Sequence, residues 1–154
     1  MNNVWILVCD GAHGRLFETF HGDATWRLIE AFEHPESRSR ASELVGDHLG
    51  QSSAQGGGVH HNALAPSSSP KEVEKGHFVH TLATRLDQAM RAGKFKRWVL
   101  VAPPHVLGMV KKELTPALTK HLMGTVEKDL ARLQAHELAA KLADVVRIPL
   151  DQLT

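Results

Sequence analysis

Most of the side chains with a claim to chemistry in this 154-residue chain lie between Pro35 and Ser68. Near the middle, Gly56-Gly57-Gly58 sets three residues without a β-carbon in succession. Such a run can take positive φ and present bare backbone amides to an anionic group, with no side chain holding a surface away. Arg38, Gly50, Gln51, Gln55, His60 and His61 lie around it in the sequence, and together with the three glycines they form the candidate binding set. The chemistry this set suggests is recognition through backbone and side-chain N–H groups, with no catalytic residue. Just downstream, Ser69 and Pro70 mark a helix N-terminus able to favour the same anionic group.

Three other constellations were weighed. A two-metal nuclease needs carboxylates converging from the first strand, the first helix and the fourth strand. Asp10 and Glu72 or Glu74 stand at the first two places, but the fourth strand ends Ala102-Pro103-Pro104-His105, without an acid. Asp10 is therefore read as a turn residue and Glu72 as the acid of a capping box. His77 and His80, one helical turn apart, could hold zinc together with His60 and His61, yet no cysteine or paired acid completes a known spacing. A serine nucleophile would need a strand-Gly-x-Ser-x-Gly elbow, which does not occur. No metal and no cofactor is expected. Arg38, Arg40, Lys71, Lys75, Lys94, Lys96 and Arg97 flank the loop and the helix after it and could face a phosphate. Glu33, Glu36, Glu43, Glu72 and Glu74 are interleaved with them, the usual make-up of a solvated face.

Residues 35–68 offer little to a core, since Leu44-Val45 is their one apolar cluster. Too little apolar surface is available to offset the entropy of ordering them, so a long flexible loop is expected at about 35–68. The flanking elements must position it. Val4 to Cys9 and Arg97 to Ala102 are near-continuous apolar runs, as in strands buried on both faces. Between the first run and the loop, Arg15 to Phe20 and Thr25 to Phe32 read as two more strands, with Trp26, Leu28 and Ile29 as core candidates. Short connections make these three an antiparallel meander. Ser69-Pro70-Lys71-Glu72 combines an N-cap, a first-turn proline and a capping-box acid. Val79, Leu82, Ala83, Leu86, Ala89 and Met90 give that helix its apolar stripe, and Gly93 stops it. A helix follows Pro104, a short one opens at Thr115-Pro116 and runs to about Leu122, Gly124 to Lys128 reads as an edge strand, and Leu138 to Val146 marks a last helix.

The order β-β-β-α-β-α-β-α describes one three-layer α/β domain over residues 1–154 with a mixed five-stranded sheet. By analogy at the level of fold this order is ribonuclease-H-like, with the first and fourth strands adjacent at the centre. A formal net charge of +1 excludes a whole-molecule field drawing the chain to nucleic acid or anionic lipid. The lone cysteine, Cys9, lies inside an apolar run, forms no internal disulfide and fits a reducing cytoplasm. No signal peptide or membrane span is read, so a cytoplasmic location is expected.

Several strings in order resemble the bacterial family named for host attachment. They are Phe32-Glu33-His34-Pro35, Glu43-Leu44-Val45, Gly56-Gly57-Gly58 with His61, and Ser69-Pro70-Lys71-Glu72. Val101-Ala102-Pro103-Pro104 with Leu107-Gly108, and Glu127-Lys128-Asp129-Leu130 with His136-Glu137-Leu138, continue the match. That family is distantly similar to the central domain of archaeal and eukaryotic peptide-chain release factors, whose glycine-glycine-glutamine loop works at the ribosome. Here Gln51 and Gln55 precede the glycine run. The resemblance therefore implies a non-catalytic module that binds a translation component, ribosome or transfer RNA, through its loop. Two further implications are an indirect part in attachment to host cells and hydrolysis of a transfer-RNA ester or phosphodiester.

Overall fold

A computed structural model describes residues 2–20, 23–33, 69–149 and 151. The loop expected at about 35–68, with Arg38, Gly50, Gln51, Gln55, Gly56, Gly57, Gly58, His60 and His61, lies outside the described residues.

The strands β1 (Asn3–Cys9), β2 (His13–Phe20) and β3 (Arg27–Glu33) come first, and α1 (Pro70–Arg91) follows. Then come β4 (Trp98–Ala102), α2 (Pro104–Glu113), α3 (Pro116–Lys120), β5 (Leu122–Glu127) and α4 (Ala135–Leu142). The five strands form one mixed sheet in the order β3-β2-β1-β4-β5. β1 pairs antiparallel with β2 and parallel with β4, while β4 pairs parallel with β5. The element order and the central adjacency of β1 and β4 are those expected from the sequence.

Every residue of β1 and of β4 is buried, which is what two near-continuous apolar runs require. Side chains alternate across the sheet, so each strand feeds two cores. Trp5, Leu7 and Cys9 join Leu100, Ala102 and the apolar faces of α1, α2 and α3. Val4, Ile6 and Val8 join Val99, Val101 and α4, with Phe17, Trp26 and Ile148. Three layers result. The Trp98 indole N–H, wholly buried, donates to the Leu118 carbonyl at 2.8 Å and ties α3 to the sheet.

α1 begins as its sequence dictates. Ser69 Oγ accepts the Glu72 amide at 3.2 Å, Pro70 occupies the first turn, and Val79, Leu82, Ala83, Leu86 and Ala89 are buried. Past its end Gly93 takes φ +74°, a left-handed conformation that favours glycine. The capping box is only half formed, because the Glu72 carboxylate meets His105 and Lys75. A complete box closes α4 instead, between Gln134 and Glu137.

Several boundaries differ from the expectation, β2 starting at His13 and β3 running Arg27–Glu33. α3 ends at Lys120 and β5 starts at Leu122, and α4 stops at Leu142 with Val145 and Val146 in the turn beyond. Leu28, expected in the core, is 50% exposed. The β2–β3 ladder shifts register between Leu16 and Phe17, and one slipped residue exchanges the faces of the strand. Trp26 is buried and Ile29 packs on the core while Leu28 faces out.

One buried acid ties the edge of the meander to the centre. Glu18 accepts hydrogen bonds from Asn3 Nδ2 at 2.9 Å, from Trp5 Nε1 at 3.1 Å and from the Arg27 guanidinium. Burial acts to raise its pKa, but the hydrogen bonds from Arg27, Asn3 and Trp5 and the Arg27 charge outweigh it and hold Glu18 below the ordinary 4.5. A carboxyl lowered on folding contributes stability above its unfolded pKa and loses it as pH falls through the folded value. Glu18→Gln should lower the unfolding free energy at neutral pH by about 1–3 kcal/mol. Denaturant titrations should show the gap between wild type and variant closing as pH drops below 4.5.

Candidate functional site

Because β1 and β4 run parallel, their carboxyl ends lie side by side, and α2 begins directly beyond β4. In open α/β sheets this is the edge outside which ligands are held. α1 starts at the same edge, as its first turns show. The side chain of Lys75 lies across the turn that follows β1, so that a β-carbon on Gly11 would stand 3.1 Å from Lys75 Cε. The bare backbone of glycine lets the lysine stem pack closely there, and a β-carbon would push the stem back by a few tenths of an ångström. Lys75 Nζ reaches Glu72 Oε1 at 4.0 Å, and the Glu72 carboxylate meets His105 Nε2 at 3.1 and 3.4 Å, linking the first turns of α1 and α2.

Asp10 closes the turn after β1. Its Oδ1 accepts the amides of Ala12 at 2.8 Å and His13 at 2.7 Å, the role read for it from the sequence. The His13 ring stands between two acids, 3.4 Å from Asp10 Oδ1 and 3.7 Å from Glu33 Oε2. A cleft of about 530 Å³ opens alongside, bounded by His13, Arg15, Phe32, Glu33 and Arg132. Arg15 is fixed there by donating to the carbonyls of Ala131 at 2.6 Å and Leu133 at 2.5 Å, with its guanidinium 5.2 Å above the Phe17 ring. The Cys9 thiol beside this edge is fully buried, and burial, aided by the Asp10 charge, pushes its pKa up to about 12. It is no nucleophile.

The stretch holding the candidate binding set joins the described fold at Glu33 and Ser69. Glu33 is the last residue of β3 and pairs with His13, while Ser69 caps α1. Both attachments are therefore at the carboxyl edge. His13 and His105 were not singled out in the sequence. A histidine just past the Asp10-Gly11 turn and another opening the helix after Pro103-Pro104 were the signals available. His80, weighed for zinc, has its Nδ1 2.7 Å from Glu113 Oε1 on α2. Among the described residues no group of three or more His, Cys, Asp or Glu is arranged to hold a metal ion. The described basic residues of the flanking set do not share one face. Lys71 and Lys75 open α1 and Lys94, Lys96 and Arg97 follow its other end, roughly 33 Å away along a helix of 22 residues.

A family model described as "Protein required for attachment to host cells" matches residues 5–142, and the chain belongs to that family. An uncharacterised protein of Rickettsia prowazekii (strain Madrid E) is 29% identical over 134 residues, covering 82% of this chain and 83% of its own. Among solved structures, an archaeal translation termination factor superposes with a TM-score of 0.50 at 13% identity over 94% of this chain. The chain spans 36% of that factor, and at such identity the likeness is one of fold. Among the described residues no helix is long and apolar enough to cross a membrane.

At this edge Asp10 and Glu33 flank His13, Glu72 meets His105, and β4 ends without an acid, so the described residues do not bring together the strand-one, helix and fourth-strand acids of a two-metal site. Incubation with RNA, DNA and RNA–DNA hybrid in magnesium or manganese is expected to leave all three intact on a gel. Cleavage abolished by Asp10→Asn would show a metal-dependent site here instead.

Proposed function

We propose that this chain, as a member of that family, is a non-catalytic binding module acting on a translation component, ribosome or transfer RNA, through residues 35–68 and their run Gly56-Gly57-Gly58. The observation that carries the reading is that Glu33 and Ser69 both stand at the carboxyl edge, where α1 and α2 open. These two attachment points stand beside two helix N-termini, whose amides and dipoles favour an anionic group such as phosphate. A solved structure of the same fold belongs to a factor acting in translation termination, which lends the partner class its support. Binding is preferred to hydrolysis of an ester or phosphodiester because Asp10 and Glu72 already have partners and β4 supplies no acid.

The family description favours a second reading, a part in attachment to host cells. That role would be indirect, exerted through whatever the module binds.

Affinity capture from lysate with the full chain, with and without ribonuclease, separates the two. Ribosomal or transfer RNA should be recovered with the wild-type protein and lost after ribonuclease treatment. Gly57→Val should abolish recovery and leave the unfolding midpoint unchanged, since a β-carbon there blocks close backbone approach. Equal recovery by both proteins would overturn the role of the glycines, and capture insensitive to ribonuclease would favour the second reading.

A further inference from the structure

At the opposite edge of the sheet, before β4 and β5 begin, lies a cleft of about 540 Å³. Lys96, Arg97, Lys120, His121 and Arg147 line it, above a floor that includes Leu122, Met123 and Val145. The chain as a whole is nearly balanced, with 18 Lys and Arg against 17 Asp and Glu. Four of those cations line this one cleft, and among the described residues no acid lines it. Arg147 lies 3.8 Å from Asp144, whose side chain is 96% exposed. Chance mixing of a balanced surface interleaves the two signs, as happens at the carboxyl edge.

The cations are drawn from three separate parts of the chain. Lys96 and Arg97 come from the approach to β4, Lys120 and His121 from the end of α3, and Arg147 from the segment after α4. Lys120 also sits in the last turn of α3, where a cation offsets the carbonyl end of the helix. That account does not extend to Lys96, Arg97 or Arg147, none of which lies in a helix. The lining contains no aromatic ring on which a base could stack and no Asn or Gln to read a base edge. Flexible cations over an apolar floor match the repeating charge and the sugar of a nucleic-acid backbone.

We propose that the amino edge of the sheet is a sequence-independent binding site for the phosphodiester backbone of a nucleic acid, held by Lys96, Arg97, Lys120, His121 and Arg147. The site stands apart from Glu33 and Ser69, at the other end of β1 and β4, and does not depend on the reading given for residues 35–68. A strand bound here makes charge contacts without reading sequence, so its affinity must fall steeply with salt. Four lysine and arginine contacts correspond to a slope of log K against log salt of roughly −3 for a single strand.

Fluorescence anisotropy with a labelled single-stranded RNA of mixed sequence, and DNA of the same sequence, tests the proposal on the full chain. Wild type should bind both, with little preference among sequences. Lys120→Glu with Arg147→Glu should weaken binding by at least about tenfold at low salt and flatten the salt slope by about half. Lys112→Glu with Lys128→Glu, exposed residues outside the cleft, changes net charge equally and should leave affinity within about twofold, separating a local site from overall charge. RNA preferred over DNA would add contacts to the 2′-hydroxyl at the same site. Absence of wild-type binding, equal losses in the two charge pairs, or binding of phosphatidylserine vesicles in place of either oligonucleotide would overturn the proposal. Thermal unfolding of each variant checks that the exposed substitutions leave the fold intact.

Discussion

The structure depends on β1 and β4 lying parallel and being covered on both faces. Trp5 pairs with Trp98, Ile6 with Val99, Leu7 with Leu100 and Val8 with Val101, and each of these side chains is buried. Full burial of such residues contributes about 1.5–3 kcal/mol apiece, far more than any surface ion pair described above. Helices must therefore close both faces, and the parallel sense decides how they do so. Strands running the same way are joined only by a crossover, so α1 has to return antiparallel to β1. From that one constraint follow the shared carboxyl edge of β1, β4, α1 and α2 and the separate amino edge.

The two edges are chemically unlike for the same reason. Helices that begin beside β1 and β4 place their unpaired amides at the carboxyl edge. Acids and histidines collect there, as Glu72, Asp10, His13 and His105 do. At the amino edge the segments entering β4 and β5 carry lysine, arginine and histidine with no acid among the cleft residues. Polar groups inside the domain are tied to the sheet as well. Trp98 fastens α3, and Glu18 joins β2 to β1 and to Arg27 at the start of β3.

Much of this was legible in the sequence wherever one segment dictates its own structure. The apolar runs gave β1 and β4, and Ser69-Pro70 with Gly93 gave α1 to within two residues. Legibility failed where partners come from distant parts of the chain. The bulge opposite Leu16 and Phe17 turned Leu28 outward, and a register shift leaves no mark in the alternation of β3 itself. Phe95, stacked 4.7 Å from Trp5, stands between Lys94 and Lys96, where no apolar pattern marks it as core. His13, Glu33, Lys75 and His105 share an edge only because the sheet and the helix starts bring them there. The amino-edge cleft was hidden for the same reason, since Arg147 is remote in sequence from Lys96 and Lys120. The candidate binding set was legible only as composition and lies outside the described residues, which end at Glu33 and resume at Ser69.

The order of the strands also has a kinetic meaning. β1, β2 and β3 pair through short turns, so the meander can close from neighbouring residues on the timescale of a hairpin. The central pair, by contrast, joins Trp5 to Trp98 across the whole intervening chain. Until β4 docks, one side of β1 is an open parallel edge bearing large apolar side chains. Closing so long a loop costs entropy before any β4 contact is made, which makes that docking the slow, topology-limited step of folding. The cost grows only with the logarithm of loop length. Lengthening or shortening the chain between Glu33 and Ser69 would therefore alter the folding rate little, and that stretch is free to vary in length without penalty to assembly of the sheet.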